Sequence, residues 1–339
     1  MPPTRRTLVP LMALFLAGCT DAFTGGIWGG GGRGGDSQPP PDYSGSLASG
    51  IAAARGMARY LAAQAVDELP AGNATFVEAA PVARTGAVSV GIRSTRVPRY
   101  QPDSRGTSFS PDAGQIQSIG TRDTPGASVA MDVAVGLLPG VAVGATRVMS
   151  VEFLGSALFA DHSTRTSSGT LMREGPSFGV GVRLGMMTET PTLPGVSLSL
   201  RRQALPTTAF RSAELPTHGA PMELGMGQAT GTATSLRLAA GKTFGRVGLS
   251  LGWGHDAVSG EGVVFAEVGS GEKRLEQLSY QSSRWSVFGG VDVRVVPQLA
   301  LGVEFAHGNS SFQGLGDPLV GEGTSWSRSR LSVGARVRP

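Results

Sequence analysis

The sequence predicts an all-β chain, an antiparallel up-and-down transmembrane β-barrel of about ten strands, within a range of eight to twelve. Three observations predict this fold: 51 of the 339 residues are glycine, apolar and polar residues alternate from residue 87 onward, and short turns alternate with long polar segments. A glycine inside a helix costs about 1 kcal/mol relative to alanine, so the composition favours strands and turns over long helices.

Alternation with a period of two marks each predicted strand. Val291, Val293 and Val295 alternate with polar residues, and after a turn at Pro297 the same pattern returns. Similar runs begin at Val88, Val129, Val141, Phe178, Val196, Leu236, Val247 and Leu331. Successive side chains of a strand point to opposite faces, so every run has one apolar and one polar face.

The order of turns and loops favours a barrel that crosses a membrane. Tight turns are expected near Pro139, Leu193, Gly245 and Pro297, at intervals of 54, 52 and 52 residues. Long polar segments lie between them, at about 98–126, 155–176, 204–231, 257–282 and 309–326. Membrane barrels have short turns at one end and long loops at the other, and strands of about 9 to 13 residues suffice to cross the hydrocarbon.

The polar face carries seven charged residues among glycines and serines: Asp132, Arg183, Arg237, Asp292, Arg294, Glu304 and Arg336. An arginine that faces lipid at the bilayer centre costs roughly 2–4 kcal/mol, so this face is expected to line the lumen, where carboxylates and guanidinium groups pair. Arg147 and Arg202 fall on the apolar rows instead, which indicates bulges or strand ends at these two positions.

The first residues have the pattern of a targeting segment. Arg5 and Arg6 precede the apolar stretch "TLVPLMALFLAG", which is too short to span a bilayer comfortably. The stretch "LAGC", which ends at Cys19, resembles the lipobox of bacterial lipoproteins. This resemblance implies that residues 1–18 are a lipoprotein signal peptide, that Cys19 is lipidated, and that Thr20 after it directs sorting to the outer membrane.

Two segments separate the signal peptide from the barrel. Residues 19–50 are rich in glycine, proline and serine and are expected to form a flexible tether. Residues 51–86 are expected to hold one helix, at 51–69 before Pro70, and a linker. The apolar stripe of this helix is narrow, which suggests that it lies on a surface or plugs an opening. The barrel then occupies residues 87–339.

Charge and cysteine content exclude several functions. The formal net charge of +4 falls to +2 once Arg5 and Arg6 are removed, and the basic residues are scattered, so nucleic acid is not an expected partner. Cys19 is the only cysteine, which excludes a disulfide within the chain. The four histidines, His162, His218, His255 and His307, have no metal-site spacing, so no metal or cofactor is expected.

One stretch invites comparison with an enzyme family. His307, Ser310 and Glu322 follow the order seen in barrel-embedded lipid A deacylases, but His307 and Ser310 are three residues apart where that family has two. In a strand, only an even spacing keeps two side chains on one face. We therefore expect no enzymatic activity and keep a deacylase-like esterase as an alternative.

From about residue 87 to its end, the chain resembles bacterial outer-membrane β-barrel proteins in its pattern and layout. The resemblance implies a structural or surface-loop binding role with a largely filled lumen, and an N-terminal lipid anchor on the periplasmic side. Implied partners are outer-membrane lipids, lipopolysaccharide, and the barrel-assembly and lipoprotein-sorting machineries. A narrow channel for small solutes and a soluble periplasmic β-sandwich lipoprotein remain as further alternatives, and the oligomeric state is open.

Overall fold

The computed structural model describes residues 44–68, 85–109, 116–160, 163–166, 169–215, 221–269, 271–313 and 326–337. Cys19, the signal peptide and the greater part of the expected tether lie outside these residues. Within them the chain forms one helix and fifteen strands. No helix in this part of the chain combines the length and the hydropathy that crossing a membrane would require.

The elements follow one another in a simple order. The helix α1 covers Ser44–Glu68 and so begins seven residues before its expected start. The strands are β1 Val88–Phe109, β2 Ile116–Leu138, β3 Val141–Val143, β4 Thr146–Val148, β5 Ser150–Ala160, β6 Ser163–Thr166, β7 Gly169–Glu174, β8 Ser177–Met187, β9 Gly195–Ala204, β10 Thr207–Ser212, β11 Met222–Phe244, β12 Val247–Val268, β13 Glu272–Val296, β14 Leu299–Gln313 and β15 Trp326–Val337.

Ten of these strands close into an antiparallel barrel. Their order is β12-β13-β14-β15-β1-β2-β5-β8-β9-β11, and β11 pairs with β12 to complete the ring. The register, followed once round the ring from Val247, returns to β12 at Ser259, twelve residues further on. This shift corresponds to strands tilted by about 40° from the barrel axis. The predicted fold class and strand number are confirmed.

The barrel wall continues beyond the ring on one side. There β6 pairs with β7, β7 with β10, and β10 with β11. Gly175, with φ of 76°, breaks the regular β structure between β7 and β8. Pro206, which has no amide hydrogen to donate, breaks it between β9 and β10. The three short strands are therefore continuations of barrel strands rather than separate members of the ring.

An apolar belt surrounds the outside of the barrel. In β13 the exposed residues of the belt run from Trp285 to Val295. Residues that alternate with them face inward: Val291 is 45% exposed, whereas the next residue, Asp292, is only 9% exposed. At a 40° tilt these eleven residues span about 25 Å, the height of the apolar band of a transmembrane barrel. Aromatic rings mark the upper edge of the belt, at Phe159, Phe178, Trp253, Trp285 and Phe305.

One predicted hairpin differs from the structure. Val141 and Val143 were expected to begin the strand that follows the turn at Pro139, but β3 and β4 form a separate two-stranded hairpin, and the barrel strand returns only at Ser150. Gly140 and Gly144 have φ of 79° and 58°, and these left-handed conformations break the strand. Arg147 lies in this small hairpin, outside the ring, while Arg202 is exposed near the end of β9.

Much of the sequence expected to form polar loops is also β structure. The strands β1, β2, β11, β12 and β13 have 22 to 25 residues, about twice the length that crosses the hydrocarbon. On β13 the outer residues above Trp285 are Ser283, Gln281 and Ser279. The strands therefore continue as polar walls beyond the belt, at the end opposite the tight turns.

Candidate functional site

The lumen contains two groups of side chains that could determine what the barrel does. The lower group, here called the charged layer, consists of inward-facing ionisable residues on all ten strands of the ring. Each is at most 9% exposed: Arg93, Asp132, Glu152, Arg183, Arg201, Arg237, Asp256, Arg284, Asp292, Glu304, Arg330 and Arg336. Side chains of this size that are almost inaccessible fill the lumen at the height of the apolar belt.

Asp132 on β2 joins two sides of the lumen. Its Oδ2 accepts a hydrogen bond of 3.0 Å from Nη2 of Arg93 on the neighbouring strand β1. Its Oδ1 lies 3.6 Å from Nη1 of Arg201 on β9, which β5 and β8 separate from β2 in the ring. The carboxylate therefore binds one arginine beside it and one from across the lumen.

Asp256 on β12 is the centre of a second cluster. Arg237 donates from Nη2 to Oδ1 at 2.5 Å, and Arg284 donates from Nη2 to Oδ2 at 2.6 Å. The hydroxyl of Ser235 also donates to Oδ1, at 2.7 Å. These donors come from β11 and β13, the two neighbours of β12, so the cluster ties three consecutive strands together.

Glu152 and Arg183 form a third pair, on β5 and β8. They are directly opposite each other in the register, and Nε of Arg183 donates to Oε2 of Glu152 at 2.6 Å. Neither side chain is accessible to solvent. Charges buried to this degree stabilise a protein only when they are paired, and removal of one partner typically costs 3–5 kcal/mol.

Glycines on the inner wall leave space for these long side chains. A Cβ at Gly254 would lie 2.6 Å from Cδ of Arg237, and one at Gly248 would lie 2.9 Å from Cγ of Asp292. Both distances are shorter than ordinary carbon contacts, so a larger residue at either position would displace the charged side chain. The high glycine content of the strands therefore has a steric reason in the lumen.

The structure places six of the seven expected lumen charges on the inner wall. Asp132, Arg183, Arg237, Asp292, Glu304 and Arg336 are buried there, whereas Arg294 is exposed near the turn that follows β13. Each of the clusters around Asp132, Asp256 and Glu152 contains at least one residue outside these seven. The members of these clusters that are not among the seven expected residues are Arg93, Glu152, Arg201, Asp256 and Arg284. Arg330 is a further buried residue of the charged layer that is not among the seven.

The missed residues follow a signal that is present in the sequence. Arg201 continues the inward row of Ser197 and Ser199, and Arg93 continues that of Ser89 and Gly91. Extending the alternation of small residues upward along each strand would have assigned both arginines to the lumen.

The upper group closes the lumen at the long-loop end. Here the inner wall is apolar, and its buried residues, the mouth patch, are Met222, Leu224, Met226, Val264, Ala266, Val268 and Leu278. A bulge between Gly227 and Thr230 reverses the alternation of β11. As a result Met222, Leu224 and Met226 face inward on the same strand as Arg237.

The helix α1 packs on the mouth patch. Leu47, Ile51, Ala54 and Met57 are each at most 5% exposed and belong to the same hydrophobic cluster. A Cβ at Gly50 would lie 2.8 Å from both Ala266 Cβ and Met222 Sδ, so only glycine allows the helix to approach this closely. The helix lies against six strands, β11 to β14, β1 and β2, and therefore occupies the mouth of the barrel.

An ion pair at the rim accompanies this packing. Arg55 of α1 pairs with Glu276 of β13, and both side chains are about one-third exposed.

The mouth patch lies at the loop end of β11, whereas β1 begins beside the tight-turn end, where Val88 pairs with Val135. The helix and the beginning of β1 thus lie at opposite ends of the barrel.

Of the three residues compared with the lipid A deacylases, only His307 has a side chain in the part that the structure describes. His307 lies on the outer face, and its Nδ1 is 2.9 Å from Oγ of Ser329 on β15. The side chain of Ser310 and the whole of Glu322 lie outside the part that the structure describes. Within that part, no three His, Cys, Asp or Glu side chains are arranged to hold a metal ion.

Several solved structures of low sequence identity are similar to this chain. No protein-family model matches the chain, and no curated protein does. Among solved structures, it is similar to the outer membrane protease OmpT from Escherichia coli, with a TM-score of 0.40, 9% identity, and coverage of 75% of this chain and 96% of that one.

Two other similar structures are also bacterial barrels. For Neisserial surface protein A the TM-score is 0.28 at 13% identity, with coverage of 75% of this chain and 99% of that one. For the translocator domain of the autotransporter NalP from Neisseria meningitidis it is 0.34 at 11% identity, with coverage of 87% and 99%. Similarity at this level does not extend to function.

Proposed function

We propose that the chain is an outer-membrane β-barrel with a closed lumen, which acts as a structural element and binds partners through the surface it presents at the long-loop end. The observation that carries this proposal is the closure of the lumen at two heights, by the charged layer and by α1. The proposal includes no enzymatic activity. It includes a lipid anchor at Cys19, which the "LAGC" pattern supports.

The size of the barrel supports a closed lumen. Barrels of eight strands are filled by side chains, and wide aqueous channels need about 16 or more. With ten strands, the charged layer is enough to occupy the interior, because long arginines reach from one side to the other, as Arg201 does to Asp132. The apolar α1 then covers this layer on the side of the long loops.

The polar walls above the belt supply a surface for binding. On β13 the residues 272–284 rise about 30 Å above the apolar belt, at about 2.5 Å of height per residue. Exposed side chains on this wall include Gln277, Ser279 and Gln281. A rigid sheet of this height holds polar side chains and loops at fixed positions outside the membrane.

Planar-bilayer recording tests the closed lumen. The full-length protein should insert without stepwise conductance, while its mobility on unboiled gels should show a folded barrel in the membrane fraction. A matched open barrel of similar size serves as the positive control for insertion. Steady single-channel currents from the full-length protein would overturn the proposal.

A narrow gated channel is a second candidate, because α1 is held in the mouth by apolar packing and by one partly exposed ion pair. A variant that lacks residues 44–68 distinguishes the two. If the charged layer alone closes the lumen, this variant remains silent in the bilayer. Conductance that appears only after the deletion would favour the gated channel.

A further inference from the structure

A groove of about 340 Å³ lies on the outer surface of the barrel, at the upper edge of the apolar belt. Its outward-facing residues are Thr234, His255, Ala257, Ser259, Gln281 and Ser283, on β11, β12 and β13. Hydroxyl and amide groups predominate among them. The groove therefore gives hydrogen-bonding groups a fixed place where the surface changes from apolar to polar.

The floor of the groove is built from small residues. Ala257 lies opposite Thr234 on one side and Ser283 on the other, in one row across the three strands. Side chains directly opposite each other in such a row are about 5 Å apart, so small residues in the row leave a depression.

Aromatic rings form the lower border of the groove. The indoles of Trp253 and Trp285 stack with centroids 4.6 Å apart and an interplanar angle of 28°. The imidazole of His255 lies 4.1 Å from the ring of Trp285, tilted by 44°. Amphipathic rings of this kind sit at the level of lipid head groups, and their faces offer stacking surfaces for the apolar faces of sugars.

A cation borders the groove on the other side. Arg202 on β9 is directly opposite Thr234 and is exposed on the outer face. Its guanidinium group can bind a phosphate through two parallel hydrogen bonds. Apolar belt residues, Leu200 on β9 and Leu251 on β12, continue below the groove and would contact acyl chains.

We infer that this groove binds the head group of a phosphorylated glycolipid of the surrounding leaflet. The sugar lies against the cluster of Trp253, His255 and Trp285 and bonds to the hydroxyl and amide groups, the phosphate binds Arg202, and the acyl chains lie along the belt. The inference rests on the proposed membrane location. The continuity of the groove with the apolar belt and the position of Arg202 beside it favour this lipid class.

Lipid binding to the full-length, detergent-solubilised barrel tests this inference by native mass spectrometry, with purified lipid A and phosphatidylglycerol as probes. Wild-type protein should retain lipid A in preference to phosphatidylglycerol. Arg202→Gln should weaken lipid A binding about tenfold, the loss expected for one charge-assisted contact. Trp285→Leu keeps an apolar side chain in the belt and should weaken binding by removing the stacking surface.

Arg96→Gln is the matched control, because Arg96 is an exposed arginine near the upper edge of the belt on β1, across the ring from β11. It should bind lipid A as the wild type does. Equal effects of the two arginine variants, or equal retention of both lipids by the wild type, would overturn the inference. If instead the wild type lacks heat-modifiable mobility and membrane association, the proposed function fails as well, so the two failures are distinguishable.

Discussion

Arg201 and Asp132 lie on strands that are not neighbours, yet Nη1 of the arginine is 3.6 Å from Oδ1 of the aspartate. Two strands, β5 and β8, separate them in the ring. The contact is therefore made across the lumen, and it can form only because the barrel is narrow. Asp132 also binds Arg93, so one carboxylate holds two guanidinium groups in place.

Replacement of Asp132 by Asn should destabilise the barrel strongly. The change leaves Arg93 and Arg201 buried beside a neutral amide, and we expect a loss of about 3–5 kcal/mol in the free energy of unfolding. The temperature at which the folded band disappears on gels measures the effect. Glu261→Gln, at an exposed position, is the control and should leave this temperature unchanged. Equal melting of the two variants would contradict the prediction.

The pair Glu152 and Arg183 allows a double-mutant test. Glu152→Gln alone removes the carboxylate that the buried Arg183 pairs with, so it should lower the free energy of unfolding more than the double variant Glu152→Gln, Arg183→Gln does. The double variant Glu152→Gln, Arg183→Gln removes both charges and should recover part of the lost stability. Urea-induced unfolding of the single and double variants in detergent gives the coupling energy between the two positions. Simple additivity of the two single effects would show that the pair is not coupled.

The fold could be predicted from the sequence because alternation is a local property. Whether Val291 faces out and Asp292 faces in depends only on the period of the strand, and the apolar outer row then defines the belt. The strands continue further above the belt than the sequence predicts, because their outer residues there, such as Ser279 and Gln281, are polar and the apolar outer row ends. The hairpin of β3 and β4 was missed because its valines alternate like those of a barrel strand.

The pairing inside the lumen could not be predicted in the same way. Asp132 and Arg201 are brought together by the register of the whole ring, which is set by bulges and turns in several strands. Two partners 69 residues apart leave no local signal of their contact. The position of α1 in the mouth also depends on the bulge in β11, because without it Met222 and Leu224 would face outward.

Gly308 provides a test of the close contacts between strands. A Cβ there would lie 2.8 Å from Ser286 Cβ and would also meet the carbonyl oxygen of Trp285, and backbone cannot move aside as a long side chain can. Gly308→Ala should therefore destabilise the barrel by about 1–3 kcal/mol. Gly227→Ala is the matched change, since nothing lies within 4 Å of the added methyl group. A destabilised Gly227→Ala with an unaffected Gly308→Ala would refute the steric explanation. Thermal melting on gels compares the two.

The helix in the mouth should respond to a buried charge and not to loss of its ion pair. Ile51→Asp places a carboxylate in the mouth patch, and burial of a charge without a partner costs several kcal/mol, so α1 should leave the barrel. Arg55→Ala removes a partly exposed ion pair, which is worth at most about 1 kcal/mol, and α1 should stay. Amide hydrogen exchange of residues 44–58 measures both: fast exchange is expected in Ile51→Asp only. Protection that is equal in the two variants would show that apolar packing does not hold the helix.

Lipidation at Cys19 is the last prediction, and it is independent of the barrel. If "LAGC" is read as a lipobox, Cys19 acquires acyl chains and the chain incorporates labelled palmitate, whereas Cys19→Ser incorporates none, because a serine hydroxyl cannot form the thioether bond. The described strands do not include residue 19, so the barrel of Cys19→Ser should keep its heat-modifiable mobility. Thr20→Ala leaves the cysteine in place and serves as the control that should still be labelled. Palmitate labelling of Cys19→Ser, or none in the wild type, would remove the anchor from the proposed function and leave the closed barrel in place.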